Sequence, residues 1–238
     1  MNEIRNVRAL LFDVFGSVVD WRTSIARDLS VWGKKKGVDI DWEAFARAWR
    51  SHYQPKMQEV RSGQRAFTLL DDLHRETLEV LLPQFGIDNL SDTDKTYINQ
   101  VWHRLDAWPD SISGLWRLKS KFTIAPLSNG NVALLNNMAK HAGLPWDLNL
   151  STQWFKAYKP QPQTYEGCVQ ILGLKPEEVM MCAAHNDDLL AAKQCGLRTA
   201  FWPRPTEYGV DQVKDLAPDN DWDVVARDIR DLANQLVG

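Results

Sequence analysis

Beyond Pro109 the chain alternates short apolar runs with amphipathic stretches, and few architectures accommodate that alternation. A helix at about 111–120 leads to an apolar run at 122–127, followed by Ser128-Asn129-Gly130. A helix at 131–142 and a short strand near 148–151 come next. A helix at 162–172 precedes the run at 179–184, and one at about 187–195 precedes Arg198-Thr199-Ala200-Phe201-Trp202. Strands alternating with helices predict a parallel sheet with helices on both faces. A further apolar run, 7–12, stands far upstream and joins that sheet only across a long insertion.

The insertion has a different rhythm. Residues 24–36 and 41–61 read as helices, and in the second Trp42, Phe45, Trp49 and Tyr53 form one apolar stripe at helical spacing. Ser62-Gly63 and Pro83 with Gly86 punctuate the pattern, and Ser91 reads as the N-cap of a helix over about 92–106. Residues 18–106 are therefore read as almost wholly helical. The expected architecture is a doubly wound α/β core (1–17 and 107–238) with a Rossmann-like parallel sheet, carrying an inserted helical cap (18–106). The eleven tryptophans, Trp32, Trp42 and Trp49 among them, are read chiefly as helix packing.

Composition narrows the function classes. A chain of 238 residues buries roughly 70–75% of its unfolded surface, enough for a core without staples. A net charge of -3 gives no basic footprint for nucleic acid or an anionic membrane. No apolar run is long enough to span a bilayer, and residues 1–6 lack the apolar core of a signal peptide. Cys168, Cys182 and Cys195 have neither metal spacing nor a disulfide framework, and are read as buried thiols. The expectation is a soluble, cytoplasmic protein.

Polar groups follow the strands where ligands collect in open parallel sheets. Asp13 follows the first, and a carboxylate there can serve as metal ligand, base or covalent nucleophile. An N-cap aspartate has the same local signature. Ser128-Asn129 follows the second, Lys159 lies in Tyr158-Lys159-Pro160 at a helix entry, and His185-Asn186-Asp187-Asp188 follows 179–184. Each is weak alone, but their order through a βα pattern is a strong joint signal.

This order and spacing resemble the haloacid dehalogenase superfamily along essentially the whole chain. Phe12-Asp13-Val14-Phe15-Gly16-Ser17 looks like its first motif, with Asp13 as nucleophile; Leu127-Ser128-Asn129-Gly130 looks like the second. Tyr158-Lys159-Pro160 looks like the third, and Asp188 with Leu189, Ala192 and Gly196 the fourth. Phosphatases of the superfamily carry a second aspartate two residues after the nucleophile, where this chain has Phe15. Their glycine-aspartate pair before the last helix is replaced by Ala183-Ala184. The closer resemblance is to the type II 2-haloacid dehalogenases.

That resemblance implies attack by Asp13 on the halogen-bearing carbon, then hydrolysis of the aspartyl ester to a 2-hydroxy acid, with no metal and no cofactor. Arg50 would take the halide, with help from Asn129. Ser128 and the backbone amides of Val14 and Phe15 would hold the substrate carboxylate. Ser17 would hydrogen-bond Asp13, and Lys159 would keep it ionised. Asp188 would support Lys159 or the hydrolytic water, and Tyr165 matches a further subgroup position. The partners implied are a small 2-haloacid and water, and the subgroup's homodimer. Ala183 and His185 stand where well-known members carry a serine and an asparagine. His185 could act as a base near neutral pH, and the departure points to altered substrate reach, smaller or fluorinated acids included. Two other classes stay open: another hydrolase on the same site, such as a small-molecule phosphatase or an enzyme opening a strained ring beside a carboxylate, and a non-catalytic binding protein. Residues 204–221 read as a surface loop touching at most the site's rim.

Overall fold

Four apolar residues, Ala9–Phe12, form strand β1 and are buried on both sides, as a central parallel strand requires. The computed structural model describes residues 4–238. In chain order β1 is followed by β2 (Val19–Asp20), α1 (Trp21–Lys36), α2 (Trp42–Ser51), α3 (Tyr53–Arg61), α4 (Leu70–Gln84), α5 (Asp92–Asn99) and β3 (Asp106–Ala107). Then come α6 (Ser111–Lys119), β4 (Thr123–Ser128), α7 (Val132–Ala142), β5 (Leu150–Ser151), α8 (Pro162–Leu172) and β6 (Val179–Ala183). The chain closes with α9 (Asn186–Gln194), β7 (Arg198–Phe201), β8 (Val224–Val225) and α10 (Ile229–Val237).

The main sheet is parallel, in the order β5-β4-β1-β6-β7-β8. The connections leave β1 toward β4 on one side and β6 on the other, which opens a crevice beyond its carboxyl end. Successive side chains point to opposite faces. Leu10, Phe12, Met180 and Cys182 join one core cluster, while Ala9, Leu11, Met181 and Ala183 join the other. The second cluster takes Tyr165 and Cys168 of α8 and Leu189 and Ala192 of α9.

Elements unread in the sequence are short or terminal. β2 and β3 pair antiparallel, Val19 with Ala107 and Asp20 with Asp106, and so close the base of the helical insertion. Two-residue strands carry no periodicity, so 18–106 is less uniformly helical than expected. The stretch expected as one helix over 41–61 breaks at His52. Pro55 has no N–H and its ring would clash with the Ser51 carbonyl, so α2 stops at Ser51. The helix expected over 92–106 stops at Asn99 and tightens into a 3₁₀ turn, Gln100–His103. Helix α10 packs on α6 at Gly114, where any Cβ would meet Ile229 backbone at 2.7 Å.

Aromatic packing holds the insertion. Phe45 stacks edge-on against Trp42 and Trp49, both at 5.6 Å between centroids, and Trp49 meets Trp102 at 5.7 Å. Trp102 also packs on Phe15 at 5.9 Å, which ties the insertion to the turn after β1. Polar contacts support this. The Asp71 carboxylate of α4 pairs with His103 at 3.0 Å and accepts from Asn131, at the start of α7, at 2.8 Å.

The segment 203–223 has no regular structure but is firmly anchored. Arg204 donates two bonds to Asp110 (2.7 and 2.9 Å) and one to the Ser17 carbonyl (3.0 Å), all buried. Removing one partner of a buried pair strands the other charge, at a cost of about 3–5 kcal/mol. Arg204→Met is expected to lower the urea midpoint of unfolding by that amount of stability; an unchanged midpoint would show that the anchor contributes nothing.

Candidate active site

The carboxyl ends of β1, β4 and β6 deliver their polar residues into one cavity of about 830 Å³, roofed by α2 and α3. Asp13 lies at its floor and is 7% exposed. Its Oδ1 accepts from Lys159 Nζ at 2.9 Å. Its Oδ2 accepts from Ser17 Oγ at 2.7 Å and lies 2.9 Å from His185 Nδ1. Ser17 Oγ in turn accepts the Ala184 amide at 2.9 Å, so the hydroxyl is aimed by the end of β6.

A second ring of groups holds the first. Asp188, one turn into α9, takes Lys159 Nζ on Oδ2 and the Tyr165 hydroxyl on Oδ1, each at 2.5 Å. Asn129 Oδ1 accepts the Lys159 amide at 2.8 Å and fixes the loop that carries the ammonium. Arg61 of α3 donates to the Lys159 carbonyl at 2.8 Å, a link from the insertion to the core that sequence reasoning did not find.

The other residue missed is Glu207. This carboxylate is 1% exposed; its Oε2 lies 2.8 Å from His185 Nε2 and its Oε1 accepts from the Trp21 indole at 3.0 Å. Residues 204–221 thus reach past the rim and into the site. Gly16 explains itself here. It has φ +87°, and a Cβ there would sit 2.1 Å from Glu207 Oε1. A glycine turn after β1 was the sole sequence signal, and it does not name the distant residue that fills the space.

Arg50, in the last turn of α2, lies over the cavity, its guanidinium 3.9 Å from the Tyr53 ring centroid and 5.6 Å from that of Trp21. Its Nη1 is enclosed and has no hydrogen-bond partner. Asp13, Phe15, Arg50, Asn129, Lys159, Tyr165, His185 and Asp188 all line the cavity. Val14, Ser17 and Ser128 are fully buried beneath it, the Ser128 hydroxyl accepting the Gly130 amide at 3.2 Å.

The electrostatics follow from burial and neighbours. Burial alone would raise the Asp13 pKa, but the Lys159 and His185 charges outweigh it and hold the carboxyl far below the usual range. Burial opposes the charge on Lys159, yet Asp13 and Asp188 keep it above its ordinary value. Burial pushes Asp188 up, partly offset by Lys159. His185 is driven well above 6.5: burial works against its charge, and the Glu207 and Asp13 carboxylates prevail. Glu207 is lowered, burial being outweighed by His185, Arg50 and the Trp21 bond. A carboxylate faces each ring nitrogen, at 2.9 and 2.8 Å, and both favour the protonated form of His185.

Similarity to known proteins agrees with this geometry. Residues 7–196 match the model of the haloacid dehalogenase-like hydrolases. The chain belongs to that family. It is 29% identical over 210 residues to (S)-2-haloacid dehalogenase 1 of Pseudomonas sp. (strain CBS-3), covering 85% of this chain and 88% of the relative. The crystal structure of a defluorinating L-2-haloacid dehalogenase superposes with a TM-score of 0.95 at 49% identity, over 98% of this chain and 96% of the other. Another L-2-haloacid dehalogenase gives 0.92 at 46% identity, over 97% and 99%.

The shifts fix the sign of the pH dependence. His185, raised above 6.5, contributes stability that is complete below that value and lost as pH rises through its folded pKa. Asp13 and Glu207, lowered from 3.8 and 4.5, contribute stability that is present above those values and lost as pH falls through their folded pKa values. Stability is therefore expected to decline on the alkaline side, with part of that slope gone in His185→Asn. Urea midpoints across pH check this, and identical alkaline slopes in the two proteins would contradict it.

Proposed function

We propose that this chain is a hydrolytic 2-haloacid dehalogenase with Asp13 as its nucleophile and residues 18–106 as the cap over its site. One observation carries the reading: an ionised, buried carboxylate, clamped by Lys159, faces a cavity whose roof holds a guanidinium with a free, enclosed nitrogen. The 46–49% identity to two L-2-haloacid dehalogenases supports the same substrate class.

Asp13 attacks C2 of the haloacid, the carbon–halogen bond breaks with inversion, and an ester and a halide ion result. Arg50 receives the halide, since a buried donor without a partner favours an arriving anion. The amides of Val14 and Phe15 and the Ser128 hydroxyl take the substrate carboxylate, and Asn129 assists at the halide. Water then cleaves the ester, releasing the 2-hydroxy acid and restoring Asp13.

A phosphatase reading requires a magnesium ion, and the donor set does not fit one. Magnesium demands oxygen ligands in an octahedron. Here Lys159 Nζ bridges the Asp13 and Asp188 carboxylates, and apolar Phe15 and Ala184 occupy the positions beside them. Among the described residues no group of three or more His, Cys, Asp and Glu is arranged to hold a metal.

Halide release in chelator from chloroacetate, fluoroacetate and both 2-chloropropionate enantiomers tests the reading. Turnover with preference for the (S) enantiomer is expected, abolished in Asp13→Asn and lowered roughly 10²–10³-fold in Arg50→Ala. No release from any of the acids, or undiminished release from Asp13→Asn, would overturn it.

A further inference from the structure

The two Asp13 oxygens are not equivalent. Oδ1 takes a single donor, Lys159, and keeps a lone pair for attack. Oδ2 faces two groups, the Ser17 hydroxyl and His185 Nδ1, at 2.7 and 2.9 Å. Two converging donors on one carboxylate oxygen have the geometry of an oxyanion hole. We propose that Glu207 is a positioning residue that holds His185 as an imidazolium, so that Nδ1–H and the Ser17 hydroxyl stabilise the oxyanion on Asp13 Oδ2 during ester hydrolysis. The inference rests on the dehalogenase reading and deepens it.

Attack through Oδ1 leaves Oδ2 as the ester carbonyl oxygen. Water oxygen bonds to Cγ, and the carbonyl π pair moves onto Oδ2, where both donors meet it. Collapse breaks the bond from Cγ to Oδ1, and Oδ1 leaves as the hydroxyl oxygen of the product. One water proton ends on that hydroxyl and the other goes to solvent.

The construction around His185 is specific to this task. Glu207 is held by Trp21 at 3.0 Å, and its segment by the buried Arg204–Asp110 pair. Gly16 leaves it room. Esterification neutralises Asp13 and removes one of the two carboxylates facing the imidazole. Glu207 remains, and it alone then holds the proton at Nε2. Two cations share these carboxylates: Lys159 of the core loop pairs with Asp13, and the charge of Arg50 of α2 acts on Glu207. Asp187 and Asp188 of α9 are tied to Lys214 and Lys159, and Asp215 bonds the Asn186 amide. This arrangement also decides against a neutral imidazole acting as base, since both nitrogens already face acceptors.

Rapid-quench kinetics on wild type, Glu207→Gln, Glu207→Asp and His185→Asn, from neutral to alkaline pH, test this. In Glu207→Gln the first turnover is expected to release one halide per active site, followed by turnover slowed roughly 10²–10³-fold at alkaline pH. Ester accumulates on Asp13, and the alkaline limb of kcat moves toward the ordinary histidine range. Glu207→Asp restores part of the wild-type limb, and His185→Asn hydrolyses ester slowly with no such limb. Equal loss of halide release and ester hydrolysis in folded Glu207→Gln, with an unmoved pH profile, would overturn the proposal. So would ester hydrolysis that rises with pH as a neutral imidazole forms. Absence of any halide release, from wild type included, would instead remove the dehalogenase reading on which it stands.

Discussion

The buried negative charge on Asp13 is the constraint from which the rest of the site follows. A carboxylate removed from water is costly unless it is paired and hydrogen-bonded. Lys159 and His185 provide the pairing, but each is itself a buried cation and needs a counter-charge. Asp188 serves Lys159 and Glu207 serves His185, and these carboxylates are satisfied by Tyr165 and Trp21. Five buried ionisable groups thus become an alternating chain of charges. The chain ends in neutral donors, so no charge in it is left without a partner.

The fold brings these groups to one place. Placing β1 between β4 and β6 brings Asp13 and His185 to one strand-end crevice, and Lys159 reaches it from the entry to α8. The aromatic column through Trp42, Phe45, Trp49 and Trp102 fixes the insertion over the same crevice. Arg50 follows directly from that packing, being the neighbour of Trp49 at the point where Pro55 stops the helix.

Much of this was legible in the residues. Alternating strands and helices after Pro109 gave the parallel sheet, because the apolar runs are short and bounded by turn residues. Asp13, Lys159, His185 and Asp188 could be found because each follows a strand or opens a helix. The break at His52 was not read, although Pro55 lies inside the stretch 41–61. What stayed hidden lacked periodicity. Glu207 lies in a stretch with no repeating pattern, and its partner Trp21 is 186 residues away. Gly16 signalled a left-handed turn but not its cause. Arg61 bonds a backbone carbonyl, a contact that no side-chain pattern encodes.

In this mechanism the oxygen delivered to the product comes from Asp13 and not directly from water. A single turnover of 2-chloropropionate by excess enzyme in heavy-oxygen water, read by mass spectrometry, separates the two sources. An unlabelled 2-hydroxy acid and one heavy oxygen in the peptide that contains Asp13 are expected. Label in the product, with none in that peptide, would mean that water displaces the halide directly and would contradict it.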